Sequence, residues 1–179
     1  MNKQEYLIRK RALLATPAFT GRTVCVKCLR PPTCCFCGSI VPFESLASVR
    51  ILMHPKEARK EKVGTGRLAN LCCARSKIIV GVNFSQNLEV QKILADEQYF
   101  PMLLYPGEGA HNLSRAPLLL DPLCKKKPLF FVIDGTWPCA KTMMRESSVL
   151  HSLPRVSFEI SQVSRFSIKQ QPLSGCLST

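Results

Sequence analysis

The stretch Leu129-Phe130-Phe131-Val132-Ile133-Asp134-Gly135-Thr136-Trp137 runs five apolar residues straight into a carboxylate, a glycine, a hydroxyl and the only tryptophan of the chain. An unbroken apolar run of this length, closed by turn residues, predicts a strand buried on both faces. Such strands belong to parallel sheets, and open α/β sheets bind ligands beyond the carboxyl ends of their strands. Asp134, Thr136 and Trp137 are therefore candidates for contact with a nucleotide-like ligand. Taken alone, the same residues also fit a plain turn followed by a core tryptophan, because Asp and Gly punctuate loops.

Outward from that stretch, Val49 to Met53, Ile78 to Val82 and Met102 to Tyr105 are short apolar runs of the same kind. Between them Pro55 to Lys62, Arg67 to Ala74 and Asn87 to Glu97 have helical composition, and Lys141 to Ser147 follows the last run. This order predicts an α/β domain with a largely parallel sheet and helices on both faces. Residues 46–179 are assigned to it, since 179 residues suffice for one core of ordinary size. Residues 1–45 precede it, with a basic helix-compatible segment from Lys3 to Ala15 and a cysteine-rich module. Pro172 to Thr179 supply no capped helix or charged tail, so the C-terminal end of the core is expected to be truncated.

Five of the ten cysteines fall between Cys25 and Cys37. Cys25-Val-Lys-Cys28 and Cys35-Phe-Cys37 form two close pairs separated by a loop that Arg30-Pro31-Pro32 stiffens. Four thiolates brought together this way suit a structural zinc ion, which accepts sulfur at about 2.3 Å and has no redox chemistry of its own. Cys34, Cys72, Cys73, Cys124, Cys139 and Cys176 are left as non-ligands, the last five as packing residues. No run approaches the ~18 apolar residues that span a membrane, and Ala12 to Ala15 is too short for a secretory signal. A cytoplasmic location is expected, where clustered thiols bind metal more readily than they form disulfides.

Lys and Arg outnumber Asp and Glu by 25 to 12, a net charge of +13. This attracts a polyanion, and no basic amphipathic helix with an aromatic stripe directs the charge to a membrane instead. Lys10, Arg11 and the run Lys125-Lys126-Lys127 are candidate RNA contacts. Gly64-Thr65-Gly66-Arg67 is a glycine-flexed entry to a helix, where free amides and a guanidinium meet an anion. Leu104-Tyr105-Pro106-Gly107 is a second strand end closed by a rigid turn. His54-Pro55 ends a strand as well, and there a hydrogen-bonded histidine of purely structural use is the commoner outcome.

These pieces, in this order, resemble the DTW-domain family of tRNA-uridine aminocarboxypropyltransferases, whose Asp-x-Thr-Trp motif is matched by Asp134-Gly135-Thr136-Trp137. The resemblance extends through Cys25-Val-Lys-Cys28, Cys35-Phe-Cys37, Leu52-Met53-His54-Pro55, Thr65-Gly66-Arg67-Leu68 and Leu104-Tyr105-Pro106. It continues through Leu153-Pro154 and Ser164-Arg165-Phe166 to Leu177-Ser178-Thr179. Gly64 and Phe166 depart from it, standing where the family commonly has Asn and Tyr.

The resemblance implies a SPOUT-like knotted fold and S-adenosylmethionine as the aminocarboxypropyl donor to N3 of a tRNA uridine. Thr65, Gly66, Arg67, Leu104, Tyr105, Pro106, Trp137, Ser178 and Thr179 would then line the cofactor site. Asp134 would accept the N3 proton or hold the uracil edge, and Thr136 would bond the ligand or its loop. Arg67 would bind the donor's carboxylate or an RNA phosphate. A monomer is expected. Two other readings fit the same residues: a SPOUT-type RNA methyltransferase, and a zinc-containing RNA-binding protein without activity.

Overall fold

The computed structural model describes residues 23–60, 64–117 and 126–159. The basic segment with Lys10 and Arg11, the sites at Lys125, Ser178 and Thr179, and Cys124 and Cys176 lie outside the described residues.

Six strands form one sheet: β1 (Ser48–Met53), β2 (Ser76–Val80), β3 (Tyr99–Leu104), β4 (His111–Asn112), β5 (Lys127–Asp134) and β6 (Arg155–Ser157). Their spatial order is β2-β1-β5-β3-β6-β4, and every neighbouring pair is parallel. The carboxyl ends therefore share one edge, and β5, which carries the motif, lies between β1 and β3. Ile51, Leu52 and Met53 are all buried in succession, the pattern of a strand covered on both faces.

The connecting helices are α1 (Pro55–Lys60), α2 (Thr65–Cys72), α3 (Leu88–Ala95), α4 (Trp137–Glu146) and α5 (Ser148–His151). α3 begins where Asn87 accepts hydrogen bonds from the N–H groups of Glu89 and Val90 at 3.0 and 3.1 Å, the side-chain cap that orphan helix donors need. α4 begins at Trp137, with Pro138 in the first turn, where proline lacks only an N–H that has no helical partner. β4, β6 and α5 were not expected from the sequence. Each has four residues or fewer, too short to carry a period.

Leu52, Leu103, Leu129 and Phe131 point to one face of the sheet and pack with Phe84, Val90, Met143 and Leu150. This face carries α3, α4 and α5. Ser147, fully buried where α4 ends, donates to the Val82 carbonyl and accepts from the Phe84 N–H, which fixes the segment after β2 beneath these helices. The alternate residues Ile51, Met53 and Met102 fill the opposite face, where Gly66 of α2 meets Asp134. Among the described residues no helix is long and apolar enough to cross a membrane.

Candidate active site and metal centre

β1, β3 and β5 end side by side, and their last residues bring the sequence motifs together. Met53 pairs with Asp134, and the His54 N–H donates to the Asp134 carbonyl at 2.9 Å. Asp134 is buried. Its carboxylate lies against the first turn of α2: a Cβ added to Gly66 would stand 2.8 Å from Asp134 Cγ and closer still to Oδ2. Glycine at 66 is thus a condition of the approach, and the positive end of the α2 dipole favours negative charge beside it.

On the other face, Trp137 opens α4 with 42% of its surface exposed, and its ring meets that of Tyr105 edge-on, centroids 6.5 Å apart at 64°. Such pairs contribute about 0.5–1.5 kcal/mol beyond burial and hold both rings in place. Tyr105 is itself fixed by its N–H, which donates to the Val156 carbonyl of β6. Thr136 precedes α4 in extended backbone, is exposed, and makes no capping bond, so its hydroxyl is not consumed by the helix. Gly135 lets the turn close: an added Cβ would lie 3.2 Å from that of Cys139 and 3.4 Å from that of His54.

Arg67 links two helices. Its Nη2 donates to the Ala58 carbonyl at 2.9 Å, which binds α2 to α1, while Nε is buried without a hydrogen-bond partner. Lys126 and Lys127 do not join the site. Lys127 opens β5 and Asp134 closes it, so seven residue steps separate them by roughly 23 Å.

Sequence reasoning weighed His54 and favoured a hydrogen-bonded histidine of structural use at a strand end. It is buried at the end of β1, and its Nδ1 accepts the Lys56 N–H at 3.1 Å in the manner of a helix N-cap. The signal available was Pro55 ahead of a helical stretch, which marks position 54 as a cap.

The cysteine module forms a second centre. Cys25, Cys28, Cys35 and Cys37 place their sulfurs all within 4.8 Å of one another. Cys25 and Cys37 are 3.8 Å apart, Cys28 and Cys35 3.7 Å. Four sulfurs held tetrahedrally at about 2.3 Å from one ion would be about 3.8 Å apart, so the cluster fits a metal. Leu29, with φ of 57°, holds the turn after the first pair in left-handed backbone, and hydrogen bonds between Cys25 and Arg30 and between Leu29 and Cys25 enforce it. Arg30 stacks 4.4 Å over the Phe36 ring. The backbone amides of Cys28 and Lys27 lower the Cys25 thiol to about 6. Burial pushes Cys37 up to about 12, and neighbouring thiols add to the rise.

A family model described as the DTW domain matches residues 22–179. The chain belongs to the DTW domain family. Over 165 residues, 88% of its length, it is 33% identical to tRNA-uridine aminocarboxypropyltransferase 2 of Drosophila melanogaster, of which it covers 62%. It is 29% identical over 162 residues to proteins of the same name from Macaca fascicularis and Mus musculus, covering 53% of each. This DTW chain thus spans between 53% and 62% of the length of these relatives. No solved structure matches it. The DTW match takes in the cysteine module as well as the sheet. Phe43, between the two, is tied to the α2–β2 connection by the Phe43 N–H to Cys72 carbonyl bond and the Ala74 N–H to Phe43 carbonyl bond.

Proposed function

We propose that this DTW chain transfers the 3-amino-3-carboxypropyl group of S-adenosylmethionine to N3 of a uridine in tRNA. The observation that carries the reading is the family match joined to the geometry of the motif: Asp134, Thr136 and Trp137 stand with Tyr105 and the first turn of α2 at one sheet edge. In the reaction, uracil N3 forms a bond to the γ carbon of the donor, the bond from that carbon to sulfur breaks, and neutral methylthioadenosine leaves. The proton of N3 passes to an acceptor at the site or to solvent.

The protein's main task is orientation, because three carbons on the sulfonium are open to attack and only one gives this product. Trp137 and Tyr105 offer the aromatic wall against which a ligand of nucleoside type packs, next to Leu104 and Pro106. Asp134 holds the uracil edge by accepting its N3–H. Thr136 bonds the ligand or its loop. Thr65 and Gly66 present the start of α2 to an anion, and Arg67, whose Nη2 ties α2 to α1, binds the donor's carboxylate or an RNA phosphate there. Ser178 and Thr179 complete the cofactor site in this reading, as part of a SPOUT-like knotted arrangement. Zinc on Cys25, Cys28, Cys35 and Cys37 has a structural role, and closes a site with no open position for chemistry. Lys10, Arg11 and Lys125 to Lys127 contact the RNA backbone.

The test is to incubate the chain with unmodified tRNA and S-adenosylmethionine and to follow the nucleoside by-product by chromatography. RNA-dependent release of methylthioadenosine is expected. Release of S-adenosylhomocysteine instead would replace the reading with a methyltransferase, and ligand binding without either product would leave an RNA-binding protein.

A further inference from the structure

Charge is spread unevenly along the chain. Residues 1–43 hold seven Lys and Arg against the single acid Glu5, so under a quarter of the sequence carries +6 of the total of +13. Such an asymmetry points to contact with a polyanion. In the described part of this stretch, Lys27 lies in the first cysteine loop and Arg30 just beyond it, and no acid occurs before Glu44. The Leu29 N–H closes that loop onto the Cys25 carbonyl, with Val26 and Lys27 between them, both exposed, Val26 by 88%. Val41 and Phe43 are exposed as well, and Arg30 lies over the Phe36 ring. A metal centre needs none of these side chains, since four thiols suffice for it.

The module joins the body of the protein away from the motif. Phe43 is bonded to Cys72 and Ala74, between the end of α2 and the start of β2, and Ser48 opens β1, whose last residue Met53 pairs with Asp134. Five residue steps of strand separate Ser48 from Met53 by roughly 17 Å. We propose that the cysteine module is a second RNA-contacting surface, which holds an unpaired segment of the tRNA at a distance from the uridine in the site. The inference rests on tRNA as substrate and goes beyond that reading, which gives the module a structural role only. Lys27 meets phosphate, while Val26 and the apolar residues after the cluster meet base faces. A duplex hides base faces in its stack; loops and ends expose them, and basic and apolar side chains together bind such nucleotides. A uridine alone is the same in every RNA, so a second contact lets the protein choose among them.

The test uses the full chain loaded with zinc and the double substitution Val26→Ser with Lys27→Ser. Both residues are exposed and neither is a thiol, so zinc content and melting temperature should match the wild type. Val41→Asp, which sets an acid on the module outside the cysteine loops, is the second variant. Lys92→Ser is the control, because it removes the same charge from an exposed position on α3. Affinity for unmodified tRNA is measured by filter binding over a range of salt concentrations. Oligoadenylate, single-stranded or paired with oligouridylate, serves as competitor at equal phosphate concentration.

The double variant is expected to bind tRNA about tenfold more weakly, with the slope of log affinity against log salt smaller by about 0.7, the share of one cation on a single strand. Val41→Asp should weaken binding by about the same factor, and Lys92→Ser by less than about twofold. Single-stranded oligoadenylate should displace tRNA from the wild type more readily than the duplex does. Unchanged affinity in both module variants, which is what a protein-binding surface would give, overturns the proposal. So does a loss no larger than that of Lys92→Ser, or equal competition by single strand and duplex. Because the readout is binding, a wild type that holds tRNA but releases no methylthioadenosine counts against the transferase reading and leaves this surface standing.

Discussion

A methyl group at position 66 would put a carbon 2.8 Å from Asp134 Cγ, inside any normal contact. Gly66→Ala must therefore push the carboxylate away from α2 or α2 away from the sheet. Overpacking of this kind costs about 1–3 kcal/mol, and thermal melting should register it as a loss of several degrees, together with loss of transfer. Asp134→Asn keeps the shape and removes the charge. Its melting temperature should stay close to that of the wild type while transfer falls by about a hundredfold or more, the scale of a lost proton-transfer partner; unchanged turnover would remove Asp134 from the mechanism. The geometry at this scale was only partly legible. Asp134, Thr136 and Trp137 could be found because a buried strand ran into them. The anchoring of Arg67 to Ala58 depends on how α1 and α2 pack, which no local spacing encodes.

At the scale of elements, the cysteine module was the most legible part, since two close cysteine pairs and a stiff loop leave few other arrangements. Structural zinc sites of this type contribute roughly 10–16 kcal/mol of apparent binding energy to folding, so a strong chelator should melt the module. Near-stoichiometric zinc by elemental analysis, and its loss in Cys28→Ser, are the expected results. Cys35 and Cys37 are both raised, Cys37 to about 12, so at neutral pH these thiols are protonated before metal arrives. Zinc binding near pH 7 should therefore release at least two protons per ion, and affinity should weaken as pH falls; calorimetry in buffers of different ionisation heat measures both. The sheet elements were found within a few residues where apolar runs were long. β2 was expected at Ile78 to Val82 but runs from Ser76 to Val80, because its pairing with β1 begins directly after the turn at Cys73. β4 and β6 are too short to be seen without their neighbours, for their residues join the sheet only through tertiary pairing.

Across the whole molecule, the parallel α/β class followed from the order of runs, whereas the insertion of β5 between β1 and β3 did not. Strand order depends on contacts between residues far apart in sequence, and those are what gather His54, Tyr105 and Asp134 at one edge. Charge acts at this scale too. With a net charge of +13, RNA affinity should fall about a hundredfold between 50 and 200 mM salt if roughly four phosphates are contacted. A flat salt response in a filter-binding titration would count against an electrostatic RNA surface. The central claim is that this DTW chain places an aminocarboxypropyl group on uridine, and one measurement addresses it most directly. Unmodified tRNA incubated with the chain and S-adenosylmethionine is digested to nucleosides and weighed by mass spectrometry. The account predicts uridine carrying the aminocarboxypropyl group, absent when Asp134→Asn replaces the wild type; methylated nucleoside, or unmodified uridine despite bound tRNA and donor, would contradict it.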